Sequence, residues 1–364
     1  VDRIGARRSA RDALRLLLVG AIAFGHAAAA RADEPWLLDD PALRVLAPAD
    51  LAERPPRFPF PVGERLVYDV TWFGVPAGRA EIEIARFVAL GDARYAHVVA
   101  RAATNAVFSW VYPVRDRSEA WIDLDRFVTV RTRATQERPG KHYDESVHYD
   151  WDTHFLHARL DKLHKGQRRE LTLDFGPHAH DTSDAVYALR ALPVAPRRSF
   201  SLPTWADRKL FELRIDVEAG ASLESAALGG RVETLVVRPS TFLDGAPYAA
   251  GEGIVWVAGP TRVPVRLEGW IRTTEHALLV RGLRATLASH TAAAPGWPHL
   301  LAPLAIPPVG ATIATRGGLP IWTPSPTVHA ARQNSGQSLR DVRSRIPSPV
   351  PAPTQSRGDT LARP

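Results

Sequence analysis

Cysteine is missing from all 364 residues, and so is methionine. Without cysteine the chain has no disulfide framework, no thiolate metal site, no cysteine nucleophile and no lipidated N-terminal cysteine, so its stability rests on burial and hydrogen bonding. The short signatures of common enzyme classes are missing too: there is no Gly-x-Ser-x-Gly elbow, no His-Glu-x-x-His, no phosphate loop and no Gly-x-Gly-x-x-Gly between strand and helix. Gly251-Glu252-Gly253 sits in a strand-rich stretch and reads as a bulge. The central part of the chain also lacks a basic surplus. Of the net charge of +7, residues 1–32 carry +4 and residues 290–364 carry +5, which leaves the middle at −2. A nucleic-acid-binding face therefore has no support from composition.

What is present begins with an export pattern. Arg3, Arg7, Arg8, Arg11 and Arg15 precede the apolar run Leu16 to Phe24, and Ala30-Arg31-Ala32 supplies small residues where a signal peptidase reads them. The expectation is a signal peptide over 1–32, cleaved near Ala32, and a periplasmic location with no membrane span after cleavage. Gly20, Gly25 and His26 interrupt the apolar run, which is short of the roughly 20 residues a span needs. Arg7-Arg8 lacks the apolar follow-up of a twin-arginine signal, so the general export route is expected.

Residues 33–57 form a Pro-rich lead-in, in which Pro35, Pro41, Pro48, Pro55 and Pro56 exclude a long helix or a central strand. The β pattern starts at Gly63. Leu66, Tyr68, Val70 and Trp72 share one face of a strand and Arg65, Asp69 and Thr71 the other. Gly74, Pro76 and Gly78 are expected to turn the chain, and Ala80, Ile82 and Ile84 lay an apolar face beside the first strand. Short strand-like segments then recur to Phe175, meeting at Gly91-Asp92, Pro139-Gly140 and Lys165-Gly166.

Two stretches break this rhythm. Asn105 to Tyr112 is an apolar run fit for one or two helical turns, stopped by Pro113. Asp181 to Leu192 places Ala185, Leu189 and Leu192 at helical spacing, with Asp181 as cap and Pro193 as stop. Five further strands follow, and Pro264 in one of them calls for an edge or a bulge. Residues 290–364 are rich in Pro, Ser, Ala and Arg without an apolar period and read as a disordered tail.

Gly63-Glu64, Leu66, Tyr68, Val70, Trp72, Gly74 and Ala77-Gly78 resemble the opening motif of the bacterial domain-of-unknown-function family numbered 3108. Tyr112-Pro113-Val114 with Asp116 and Glu119, Asp181 with Tyr187-Ala188-Leu189-Arg190, and Gly253 to Trp256 followed by Arg262-Val263-Pro264-Val265 resemble its later blocks in order. The resemblance covers residues 58–289 and departs from the pattern at Val257-Ala258-Gly259, where a polar turn with an Asp would be expected. The segments themselves read as a mostly β antiparallel meander with one main short helix at about 181–192, and the resemblance implies an exported, β-rich domain whose strands curl into an open barrel or roll, as in envelope proteins that hold lipid-like ligands. It implies no catalytic residues.

Candidate chemistry is sparse. His178, His180, Asp181 and Asp184 form the densest ligand-like set, but capping already accounts for Asp181 and Asp184, so no metal and no cofactor are expected. His142, His148, His154 and His157 read as solvated strand residues. Arg115, Asp116, Arg117 and Glu119 make a charged strand, and Arg190 on the helix could pair with Asp116 or Glu119 or, with Arg115, anchor a ligand. Most of the eight Trp between residues 33 and 289 read as core. The leading expectation is a non-enzymatic protein that binds a lipid-like or glycan envelope component in the curled sheet. An envelope scaffold acting through strand edges or the tail is the alternative, and a polysaccharide-acting enzyme the third reading.

Overall fold

A computed structural model describes residues 42–110, 112–175, 180–206, 209–248, 251–259, 261–271 and 282–297, all within a compact unit spanning residues 1–310. The expected signal peptide, the start of the lead-in, His178 and nearly all of the expected tail lie outside the described residues. The chain runs through β1 (Arg44–Val45), α1 (Pro48–Glu53), β2 (Arg65–Trp72), β3 (Val75–Leu90), β4 (Ala93–Thr104), α2 (Ala106–Ser109), β5 (Arg115–Asp123), β6 (Thr129–Arg138), β7 (Lys141–Asp150), β8 (Phe155–Lys162) and β9 (Gln167–Asp174). It continues through β10 (His180–Asp181), α3 (Thr182–Ala191), β11 (Arg198–Ala206), β12 (Lys209–Ser225), β13 (Gly230–Leu243), β14 (Ala246–Pro247), β15 (Gly251–Ala258), β16 (Pro264–Ile271) and β17 (Leu283–Thr291).

The opening hairpin shows how the alternation becomes structure. Leu66, Tyr68 and Val70 are buried while Arg65 and Asp69 are exposed, and Tyr68 lies opposite Ala80. The turn is tighter than the expected one. Phe73 and Gly74, at φ 47° and 82°, close a two-residue loop whose left-handed backbone matches the twist of the flanking strands. Pro76 and Gly78 belong to β3, at a bulge where Val70 faces Gly78 and Thr71 faces Pro76. A Cβ on Gly78 would press into the backbone carbonyl of Ala103 on β4, which cannot move without breaking the ladder. Gly78→Ala is expected to cost about 2 kcal/mol of stability, measurable as a lower denaturation midpoint.

The pairing order is β11, β12, β13, β15, β16, β17, β2, β3 and onward to β9, antiparallel throughout. β14 folds back on β13, β1 lies along β3, and β10 runs parallel to β11. Pro264 opens β16 at a register shift opposite Trp256 and Val257, so the bulge is the device used and the strand is internal. The sheet is open, with no ladder joining β9 to β10 or β11 among the described residues. It nevertheless curls: Trp205 of β11 shares one buried cluster with Val147 and Tyr149 of β7, Leu156 of β8 and Phe175.

Helix α3 lies inside this curl. Tyr187 packs into the cluster of Phe87, Ala96, Val98, Ala120 and Ile122 from β3 to β5. Ala188 and Leu192 pack with Ile215, Val217, Leu235 and Val237 from β12 and β13. Phe58 and Phe60, from the segment just before β2, put their rings 5.3 and 5.0 Å from that of Tyr187. Burial of these apolar side chains is the main source of stability in a chain without disulfides. Among the described residues, side chains of α3 and of the segment before β2 occupy the inside of the roll. No helix there is long and apolar enough to cross a membrane.

Candidate functional site

Residues from three separate motifs meet in the buried centre. Gly63 donates its N–H to the Ile84 carbonyl and Ile84 returns one to Glu64, which turns the Glu64 side chain toward α3. There Arg190 Nη1 and Nη2 each donate a hydrogen bond of 2.7 Å to Glu64, and Arg190 Nε donates to the Arg262 carbonyl at 3.0 Å. The Arg190 guanidinium also lies 4.3 Å from the Phe60 ring centre. Arg262 holds φ 55° and caps the helix, donating through Nη1 to the carbonyls of Arg190 and Ala191 at 3.2 Å. Tyr68 donates to the Pro264 carbonyl at 2.9 Å.

Burial alone would raise the Glu64 pKa, but the Arg190 charge and its hydrogen bonds outweigh it and hold the carboxyl at about 2. The Arg190 side chain is 1% exposed. This is a closed ion pair that locks hairpin, helix and the β15–β16 turn together. It corrects the expected pairing of Arg190 with Asp116 or Glu119.

A second buried cluster sits at the start of α3. Asp181 accepts from Ser183 N–H at 2.8 Å and so caps the helix as expected. It also accepts from the Tyr149 hydroxyl at 2.7 Å, tying β7 to the helix. Asp184 accepts from Thr129 N–H at 2.8 Å and has His180 Nδ1 at 3.3 Å. Burial, opposed by the Tyr149 and Ser183 hydrogen bonds, pushes the Asp181 pKa up to about 6. Among the described residues no group of three or more His, Cys, Asp or Glu side chains could hold a metal ion.

The other expected anchors do not converge. The period of two places Asp116 on the inward face of β5 and Arg115 and Glu119 on the outward face. Asp116 is buried. Glu119 is bound to His97 at 2.9 Å and to Arg117 at 2.7 Å, and although burial would raise its pKa these partners hold it at about 2. His97, absent from the sequence candidates, stacks on Trp121 with ring centres 5.0 Å apart. Its strand position opposite Trp121 was the available signal. His142, His148 and His157 are exposed, as solvated strand residues should be, and His154 is half-buried.

Trp121 and Trp205 are core residues, but Trp110 is 93% exposed and leads to an exposed apolar surface. The β2–β3 hairpin brings Trp72 and Val75 face to face, with exposed Phe73 at the tip. Asn105 fastens the β4–β5 connection beside it, donating from N to Ala77 O at 2.8 Å and from Nδ2 to Pro76 O at 2.7 Å. Its side-chain oxygen caps α2 through Phe108 N–H at 2.7 Å. The Phe108 ring then lies 5.3 Å from that of Trp72, and Val107, Trp110 and Tyr112 are left exposed. The result is an aromatic rim at one end of the sheet, with Arg115, 80% exposed, at its margin. The rim is the surface here best suited to an apolar ligand.

A shallow concavity of about 460 Å³ by α1 and the β3–β4 turn is polar, and its arginines are already paired, Arg44 with Asp50 and both Arg54 and Arg94 with Asp125.

The profile of the family described as Protein of unknown function (DUF3108) matches residues 67–272. No curated protein matches the chain significantly in sequence. Among solved structures, a beta-barrel-like protein of domain of unknown function DUF1849 from Brucella abortus is 11% identical over 64% of this chain and 98% of that chain, with a TM-score of 0.41. A protein from Bacteroides fragilis described as exported, with a YmcC-like fold, is 9% identical over 64% and 98%, with a TM-score of 0.28. A protein from Parabacteroides distasonis described as a lipoprotein is 11% identical over 65% and 99%, with a TM-score of 0.27.

Proposed function

The chain belongs to the DUF3108 family, and from that membership we propose that it is a non-enzymatic, periplasmic protein that binds a lipid-like component of the cell envelope. The observation that carries the reading is the exposed aromatic rim of Phe73, Val75, Val107, Trp110 and Tyr112. A folded chain keeps such a surface in water at a cost, and a ligand with an apolar part removes that cost. The export pattern of residues 1–32 supports the location. The binding surface proposed is the rim, because the inside of the roll is taken up by Tyr187, Phe58 and Phe60.

The test is mass spectrometry of lipids carried by the purified chain, joined to a titration with a soluble short-chain phospholipid followed by tryptophan fluorescence. A co-purified amphiphile, or a saturable fluorescence change, is expected. Absence of both would sink the reading. The scaffold alternative rests on β9, which among the described residues pairs only with β8. That edge opens with Gln167-Arg168-Arg169-Glu170, all exposed, and charged edges discourage strand addition.

A further inference from the structure

We propose that the aromatic rim docks on an anionic lipid bilayer, Trp110 and Phe73 entering its interfacial layer and Arg115 meeting headgroup phosphates. The inference rests on the amphiphile reading above and names its target as a membrane surface. The described residues of two neighbouring segments build the rim, 72–78 and 105–110 with 112–114, and the sequence has no charged residue from 72 to 78 or from 105 to 114. The next residues outward are Arg79 and Arg115. Aromatic rings on the apolar side and arginines at the boundary are the arrangement that suits a water–lipid interface.

The backbone of the rim is also prepared for a layer poor in water. Phe73 N–H donates to Gly282 O at 2.9 Å, Ser109 N–H to Asn105 O at 2.9 Å, Trp110 N–H to Val107 O at 3.3 Å and Tyr112 N–H to Phe108 O at 2.8 Å. An amide entering lipid unpaired would cost too much to insert. Arg115 supplies the charge complement. It pairs across the strand with Glu137 at 4.0 Å while 80% exposed, a long surface pair that a phosphate can replace at little cost. Arg79, by contrast, is engaged with Asp69 at 3.0 Å. Rings projecting from a hairpin tip and from the end of a short helix can enter a fluid layer without a preformed partner pocket, whereas a protein partner would need a socket for Trp110.

The experiment is co-sedimentation of the full chain with vesicles of phosphatidylethanolamine and phosphatidylglycerol, and with vesicles of phosphatidylcholine alone. The parent is compared with the double variant Trp110→Ser/Phe73→Ser and with Arg115→Gln. All these side chains are exposed, and unchanged melting curves confirm that each variant folds. The double variant should lower partitioning by roughly tenfold or more. Arg115→Gln should lower it by roughly fivefold on anionic vesicles only, with a shallower salt dependence. Equal partitioning of parent and double variant would overturn the proposal, as would self-association of the parent that the double variant abolishes. Binding of the soluble phospholipid without binding of vesicles would overturn the membrane docking and leave the amphiphile reading standing.

Discussion

Arg190→Ala is expected to lower the unfolding free energy by about 3–5 kcal/mol, a large part of the roughly 5–15 kcal/mol that keeps a typical domain folded. The deletion removes two 2.7 Å charge-assisted hydrogen bonds and the cation over Phe60. It leaves a carboxylate whose side chain is 7% exposed, with the His290 ring nitrogen 3.8 Å away. The effect reaches further than one contact. Arg190 also holds the Arg262 carbonyl, so the turn that caps the helix loses its anchor as well. Replacing both partners, as Glu64→Leu/Arg190→Met, should recover much of the loss, because a matched apolar pair avoids the desolvation that a lone buried charge incurs. Denaturant melts of the two single variants and the double variant measure the coupling directly.

The same pair predicts an acid limb. The Glu64 carboxyl is held at about 2 against an ordinary 4.5. Its contribution is therefore complete above about pH 4.5 and disappears as pH falls toward about 2, a difference of about 3 kcal/mol. Glu119, also held at about 2, acts in the same direction but is more open to solvent and should add less. Arg190→Ala should flatten the Glu64 part of this limb. If instead Arg190→Ala left the melting curve unchanged and weakened amphiphile binding, Arg190 would be a ligand anchor rather than a structural clamp.

Period and turn chemistry were enough to read most of the sheet. The Leu66-Tyr68-Val70 alternation, the glycine turns and the Asp181 cap are local rules, and β2 to β9, α2 and α3 follow them closely. β11 falls outside the strand-like segments of the sequence reading, and Pro203 lies within it. Its pairing shows why the proline is tolerated: among the described residues, apart from Thr204 and Trp205, which meet β10, β11 pairs only with β12. Glu64 stands in the opening motif, but its ion pair is not legible there for a different reason. Its partner is 126 residues away in sequence, and no local period reports such a contact. The rim was legible in composition, as two uncharged aromatic segments, but the Asn105 hydrogen bonds that set them side by side were not. Nor does a charged strand by itself make a site: alternation alone would have separated Asp116 from Arg115 and Glu119.

Asp181→Asn is expected to raise stability near pH 8 by about 2 kcal/mol and to remove much of the pH dependence of unfolding between about pH 4 and 6. The folded-state pKa of Asp181, about 6, lies above its ordinary 3.8, so folding favours the protonated acid. Its contribution is complete below about pH 4 and is lost as pH rises through about 6. Asparagine stays neutral across this range and caps a helix about as well as aspartate. It keeps an oxygen for Ser183 N–H and turns an amide toward Tyr149, whose hydroxyl can accept in place of donating. Asp181→Ala should behave oppositely below pH 6, losing the cap and leaving the buried Tyr149 hydroxyl without its acceptor, at about 1–3 kcal/mol. Tyr149→Phe removes a hydrogen bond that lowers the Asp181 pKa and should move the loss to higher pH. His180, raised above its ordinary 6.5 because Asp184 outweighs its burial, contributes fully below about 6.5 and loses that contribution as pH rises further. It extends the decline in the same direction. The two buried clusters thus oppose each other, Glu64 failing in acid and Asp181 with His180 failing toward alkali, which sets the stability maximum on the acidic side of neutrality. Denaturant melts from about pH 3 to 8 on the parent and Asp181→Asn decide it: parallel profiles above pH 4 would show that Asp181 titrates as an ordinary carboxylate.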